Sequence, residues 1–76
     1  MTNLQLKRKA AKLTQHELAG RSGVSVRTLQ YYEQGALDFN KAAVETVYRL
    51  AVALECSVEE LIDCERVLRE SPYVEE

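Results

Sequence analysis

The stretch from Thr14 to Gly35 constrains this chain more than any other. Thr14-Gln15-His16-Glu17 has the pattern of a capping box. The Thr14 hydroxyl accepts from the Glu17 backbone N–H, and the Glu17 carboxylate reaches back to the N–H of Thr14. A helix therefore starts at Gln15 and carries Leu18 and Ala19 inward. Gly23 ends it, because glycine tolerates the left-handed conformation that a sharp turn requires, and Val24 is the apolar plug of that turn. Ser25 caps a second helix, Val26 to Gln34, which Gly35 closes.

The rest of the chain reads as helical support for this unit. Its 76 residues suffice for one compact domain. The single proline, Pro72, lies near the end, and the glycines stand only at positions 20, 23 and 35, which leaves long stretches free for helix. The spacing predicts a first helix from about Asn3 to Lys12, with Leu4 and Ala11 facing inward. Asn40 is placed to cap a long helix from Lys41 to Leu54, whose Val44, Val47, Leu50, Ala51 and Leu54 repeat at 3-4 spacing. A second capping box, Ser57-Val58-Glu59-Glu60, opens a last helix that carries Leu61 and Ile62 and runs to about Glu70. The expected fold is all-α with five helices. The main domain would occupy residues 1–64, and a C-terminal helix extension and tail residues 65–76.

Two short helices joined by a tight glycine-containing turn form a helix-turn-helix, the unit that places its second helix in a DNA groove. At about 100° per residue, Leu29 and Tyr32 share the buried side of the second helix, while Arg27 and Tyr31 lie opposite, with Val26 and Gln30 at the edges. That outer face carries cationic, hydrogen-bonding and apolar groups and no carboxylate, which suits a major groove. Arg27 can donate a bidentate pair to guanine, Gln30 can read an adenine edge, Val26 can meet a thymine methyl, and Tyr31 can touch a base or a phosphate. These four are the base-reading candidates. Gln15, in the first turn of its helix, is placed to grip phosphate; Asn40 and Lys41 take the same place at the next helix start, and Ser25 and Thr28 complete the phosphate set. Glu33 points back toward the protein and is expected to pair with Arg8, fixing the first helix against the third.

Charge is divided along the chain. Residues 1–35 carry six basic and two acidic side chains, a net +4, and residues 36–76 carry four basic and ten acidic, a net −6. A basic half joined to an acidic half suggests one face toward phosphate and another away from it. Cys56 and Cys64 have no metal-ligand spacing and His16 is remote, so the cysteines read as small apolar residues of a reducing compartment and no metal or cofactor is expected. One histidine, no nucleophile context and no phosphate-cradling glycine loop argue against an enzyme. No apolar run is long enough for a bilayer and no signal-peptide pattern opens the chain, so the expected location is cytoplasmic, with no membrane partner and no small-molecule effector.

With these residues in place, the chain resembles the Cro/C1-type (XRE), lambda-repressor-like helix-turn-helix family from about Leu4 to Ile62. The resemblance is carried by Leu13-Thr14-Gln15, Glu17-Leu18-Ala19, Gly23-Val24-Ser25, Glu33-Gln34-Gly35, Glu45-Thr46-Val47, Leu50 to Leu54 and Ser57 to Leu61. It implies a five-helix bundle, a third helix in the major groove of double-stranded DNA, and a dimer on a palindromic operator. It also implies that Gln15 and the positions of Val26, Arg27, Thr28 and Tyr31 approach DNA. The chain departs from the family pattern at Lys7, where an apolar residue is common and Leu6 is expected to compensate. It departs again at Glu55, where a glycine or asparagine usually ends the fourth helix, so backbone strain is expected there. Cys56 takes a position usually filled by valine, and Ala36 to Phe39 lacks the basic residues many relatives place against phosphate.

A local likeness of Gly23 to Glu33 to MerR-type regulators does not extend further, because Ala36 to Asn40 is too short for a wing of strands. The function expected is a small transcriptional regulator. The alternative is a protein-interaction module or antitoxin-like accessory subunit of the same fold. Its support is an apolar stripe of Leu61, Cys64, Val67 and Leu68, continued by Tyr73 and Val74, through which a homodimer would also form.

Overall fold

The computed structural model describes residues 2–70, and the described residues are all helical in their regular structure. Five α-helices follow in order: α1 (Asn3–Ala10), α2 (Gln15–Ser22), α3 (Val26–Gln34), α4 (Val44–Ala53) and α5 (Cys64–Arg69). Two single 3-10 turns, Phe39–Lys41 and Val58–Glu60, precede α4 and α5. The core is built from Leu4, Leu18, Leu29 and Leu50, one from each of the first four helices and all but inaccessible to water, with Tyr32 and Leu61 beside them. Tyr32 meets Phe39 edge-to-face, with ring centroids 5.0 Å apart.

Helix ends are closed by left-handed residues at four places. Gly23 (φ 78°) and Gly35 (φ 83°) are the two anticipated, and Lys12 (φ 62°) and Glu55 (φ 55°) do the same without the freedom of glycine. The N–H of Leu13 bonds to the Arg8 carbonyl, that of Ala36 to Tyr31 and that of Cys56 to Ala51. These are the long closing bonds of a Schellman ending, so the strain at Lys12 and Glu55 is offset by satisfied carbonyls. Glu55 is thus strained as its place in the pattern suggested.

Five expectations are corrected. The long helix does not begin at Lys41: the Asp38 carboxylate accepts from the Asn40 N–H at 3.1 Å, which closes a separate turn. The chain then extends through Ala42 and Ala43 before α4 starts at Val44, with Ala43 at its N-cap and no side-chain cap. For the same reason Val44 is 84% exposed rather than buried. A helical side chain covers the turn N-terminal to itself, and α4 has no such turn ahead of Val44.

The last helix is likewise divided. The Ser57–Glu60 box closes a single turn, and the ladder stops where the Asp63 N–H donates to Asn40 Oδ1 (2.8 Å) instead of to the Glu59 carbonyl. Asp63 then caps α5 by accepting from the Arg66 N–H. At the other end of the chain, α1 stops at Ala10, leaving Ala11 exposed. Leu6 does not compensate for Lys7, being half exposed; Lys7 instead pairs with Glu60 at 2.6 Å. The part of the apolar stripe assigned to Tyr73 and Val74 lies outside the described residues.

Candidate nucleic-acid interface

The helix-turn-helix is assembled from local bonds. Thr14 Oγ1 accepts from the Glu17 N–H at 3.0 Å, and Glu17 Oε1 accepts from the Thr14 N–H at 2.8 Å, which fixes the entry to α2. Ser25 Oγ accepts from the Thr28 N–H at 3.1 Å and donates to Thr28 Oγ1 at 2.9 Å, which fixes the entry to α3. Val24 is buried beneath the turn between them.

Behind the interface lies a charged network. The Arg8 guanidinium grips Glu33 with two bonds, Nε to Oε2 at 2.7 Å and Nη2 to Oε1 at 3.0 Å, and its Nη1 reaches the Leu13 carbonyl at 2.8 Å. Both side chains are almost wholly removed from solvent. Burial pushes the Glu33 carboxyl up, but the bonds from Arg8 and Gln15 outweigh it and hold the group below the ordinary carboxylate range. Gln15 Nε2 donates to Glu33 Oε1 at 3.0 Å, and Gln15 Oε1 accepts from Gln30 Nε2 at 3.4 Å. Arg8, Glu33, Gln15 and Gln30 therefore form one chain of contacts from α1 to the face of α3.

On that face Arg27, Tyr31 and Gln34 are exposed, and Val26, Thr28 and Gln30 are half-buried. The one carboxylate of α3, Glu33, is turned inward, so the outer surface keeps its positive and neutral character. The structure brings Gln15, Ser25, Val26, Arg27, Thr28, Gln30 and Tyr31 onto α2 and α3 around one turn. It does not do the same for Asn40. Both ends of that amide are occupied by Asp63, whose N–H donates to Oδ1 and whose carbonyl accepts from Nδ2 at 3.0 Å. With the expected helix start absent, Asn40 is a clamp on the entry to α5, and Lys41 is an exposed cation on a 3-10 turn.

The separation of charge is softened by long-range pairs. Lys7 of the basic half is matched to Glu60 of the acidic half, while Arg66 and Asp38, paired at 2.6 Å, neutralise each other within the acidic half. Lys9, Lys12, Arg21 and Arg27 remain as exposed cations of the first 35 residues that enter no ion pair among the described residues. Sequence reasoning missed Asp38 and Asp63 as caps, and it missed the Gln15–Glu33 bond. Asp38-x-Asn40 and Asp63-x-x-Arg66 were the local signals for the first two.

A helix-turn-helix family profile matches residues 4–61, from Leu4 in α1 to Leu61 after the second 3-10 turn. The chain belongs to this DNA-binding family, the Cro/C1-type (XRE) helix-turn-helix proteins. No curated protein and no solved structure gives a significant match. No helix among the described residues is long and apolar enough to cross a membrane.

Proposed function

We propose that the chain is a sequence-specific transcriptional regulator that lays α3 in the major groove of double-stranded DNA. The observation that carries this reading is the division of labour along α3. Glu33 is buried against Arg8, while Arg27 and Tyr31 are left exposed on a face without carboxylates. Arg27 and Tyr31 take the central base contacts and Val26 the apolar one. Gln30, drawn toward Gln15, reads a base edge from the side of the face nearest α2. Gln15, Ser25 and Thr28 hold the phosphates on either side of the groove, and the exposed Lys41 adds a charge contact. Selection of bound duplexes from a random pool, followed by titration across a salt series, tests the reading. A shared motif and a steep loss of affinity with salt are expected; retention of no duplex overturns it.

A second reading, a protein-interaction module of the same fold, is favoured by α5. Val67 and Leu68 are exposed there beside acidic residues. The partner is either a second copy of the chain or another protein, and Val67→Ser/Leu68→Ser is the variant that removes this surface without touching α3.

A further inference from the structure

The corner between α1 and α2 concentrates positive charge. Lys7-Arg8-Lys9-Ala10-Ala11-Lys12 holds four cations and no carboxylate. Two of them are engaged inside the fold, Lys7 by Glu60 and Arg8 by Glu33. Lys9 and Lys12 are exposed and enter no ion pair among the described residues. The Lys12 N–H donates to the Lys9 carbonyl at 3.0 Å, which keeps the two lysines on one turn of chain.

This corner adjoins the face of α3. Glu33, the carboxylate that accepts from Gln15, also feels the positive charge of Lys9. Lys12 stands two residues before Thr14, the N-cap of α2, and three before Gln15. Gln15 in turn meets Gln30 of α3. The basic corner is thus continuous, through Gln15, with the proposed reading face. The connection that follows α3, residues 36–40, by contrast holds no cation and one carboxylate, Asp38.

The fold itself gives no use for the lysine at position 12. A cation in the last turn of a helix complements its dipole, and that accounts for Lys9. Lys12 lies beyond the helix with a left-handed backbone, φ 62°, which glycine adopts without strain and a lysine does not. The backbone bonds that close α1 there would form equally well with glycine. What the lysine adds is its charge, and no carboxylate among the described residues pairs with it.

We infer that Lys12, together with Lys9, is a phosphate-binding corner of the DNA interface, in which the two ammonium groups take backbone phosphates next to those held by Gln15 and the strain at Lys12 is kept for that contact. The assignment rests on the DNA-binding reading and adds to it two residues outside the helix-turn-helix. Its ligand is the sugar-phosphate backbone of a duplex, so the contact sets position and affinity and reads no base.

The test uses the full chain with a duplex obtained by selection and a scrambled duplex of equal length, titrated by anisotropy between about 50 and about 200 mM salt. Lys12→Gly should weaken binding to both duplexes alike, about three- to tenfold at the lowest salt, and reduce the salt slope by about one. The free variant should melt no lower than the parent, so the loss is not one of folding. Lys12→Met keeps the strained backbone and an apolar stem without the charge, and should lose the same affinity. Lys12→Arg should bind within about twofold of the parent, since a phosphate accepts either cation. Lys9→Gln should weaken both duplexes as Lys12→Met does. Arg21→Gln removes an equally exposed cation from the last turn of α2 and should leave the slope unchanged.

Parental affinity and slope in both Lys12→Gly and Lys12→Met overturn the assignment while leaving the reading of α3 intact. An equal loss in Arg21→Gln and Lys12→Met overturns it as well, because the effect is then one of net charge. A parent chain that holds no duplex overturns the assignment and the reading together.

Discussion

Gln15 Nε2 donates to Glu33 Oε1 at 3.0 Å, so the first residue of α2 is oriented by a carboxylate of α3 that is itself held by Arg8 of α1. A glutamine on a helix terminus is ordinarily free to choose among rotamers. Here one amide end is committed inward and its oxygen is turned toward Gln30. The position of a side chain proposed to meet the phosphate backbone is thereby coupled to the packing of three helices.

Breaking the buried pair from one side is expected to be severe. Arg8→Met leaves Glu33 charged and uncompensated and should lower stability by about 3–5 kcal/mol. Arg8→Met combined with Glu33→Leu should recover much of that loss, because no buried charge remains. Urea denaturation of the two variants beside the parent chain measures both effects.

Acid should unfold the chain in a defined order of causes. The Arg66 guanidinium holds the Asp38 carboxyl below its usual range. Lys7, with the Ser57 N–H and hydroxyl, holds Glu60 down to about 2. Glu33 is lowered by Arg8 and Gln15 against its burial. Each group binds its proton more weakly when folded than unfolded, so its contribution is fully present above the ordinary carboxylate value, about pH 4 to 4.5. That contribution is lost as pH falls through the folded values. Thermal melts at descending pH should stay level down to about pH 5 and fall below it. Lys7→Gln should make the fall shallower, because the part due to Glu60 is then removed.

Three substitutions should stabilise the chain. Gly20 lies inside α2 with nothing within 4 Å of where a Cβ would sit, so Gly20→Ala should add about 0.5–1 kcal/mol. Lys12→Gly and Glu55→Gly each relieve a left-handed backbone that costs an L-residue about 1–2 kcal/mol. The greater freedom of glycine in the unfolded chain offsets part of that relief. Melting temperatures of the three variants at low protein concentration test the signs.

DNA binding should separate the two kinds of contact. Arg27→Ala should cost about 1–3 kcal/mol at the preferred sequence and relax the preference at one base pair. Lys41→Ala should weaken all sequences alike and reduce the salt slope by about one. Gln15→Ala should weaken binding across sequences in the same uniform way. Anisotropy titrations with preferred and scrambled duplexes read all three.

The sequence made α2 and α3 legible because their signals are local. Thr14 and Glu17 close their box within four residues, and Gly23, Ser25 and Gly35 each act on their immediate neighbours. The start of α4 was not legible in that way. Asp38 and Asn40 are both good caps, and the choice between them is settled by Asp63, twenty-three residues further on. The inward face of α3 followed from helical period alone. Which of its residues were engaged did not, because Gln15 meets Glu33 and Gln30 only once α2 and α3 have docked. Lys12 gave no sign of a left-handed backbone, since nothing in a lysine announces it, whereas Glu55 was betrayed by the glycine its position normally holds.

The two-point grip of Asn40 on the Asp63 backbone has a kinetic consequence. No residue of α5 is buried, and the clamp and the Asp38–Arg66 pair are its polar ties to the α3–α4 connection. Such a segment should detach as its own cooperative unit, well before the leucine core opens. Amide protons of α5 should then exchange with deuterium far faster than those of α2 and α4, and Asn40→Ala should erase their remaining protection while leaving the core amides slow.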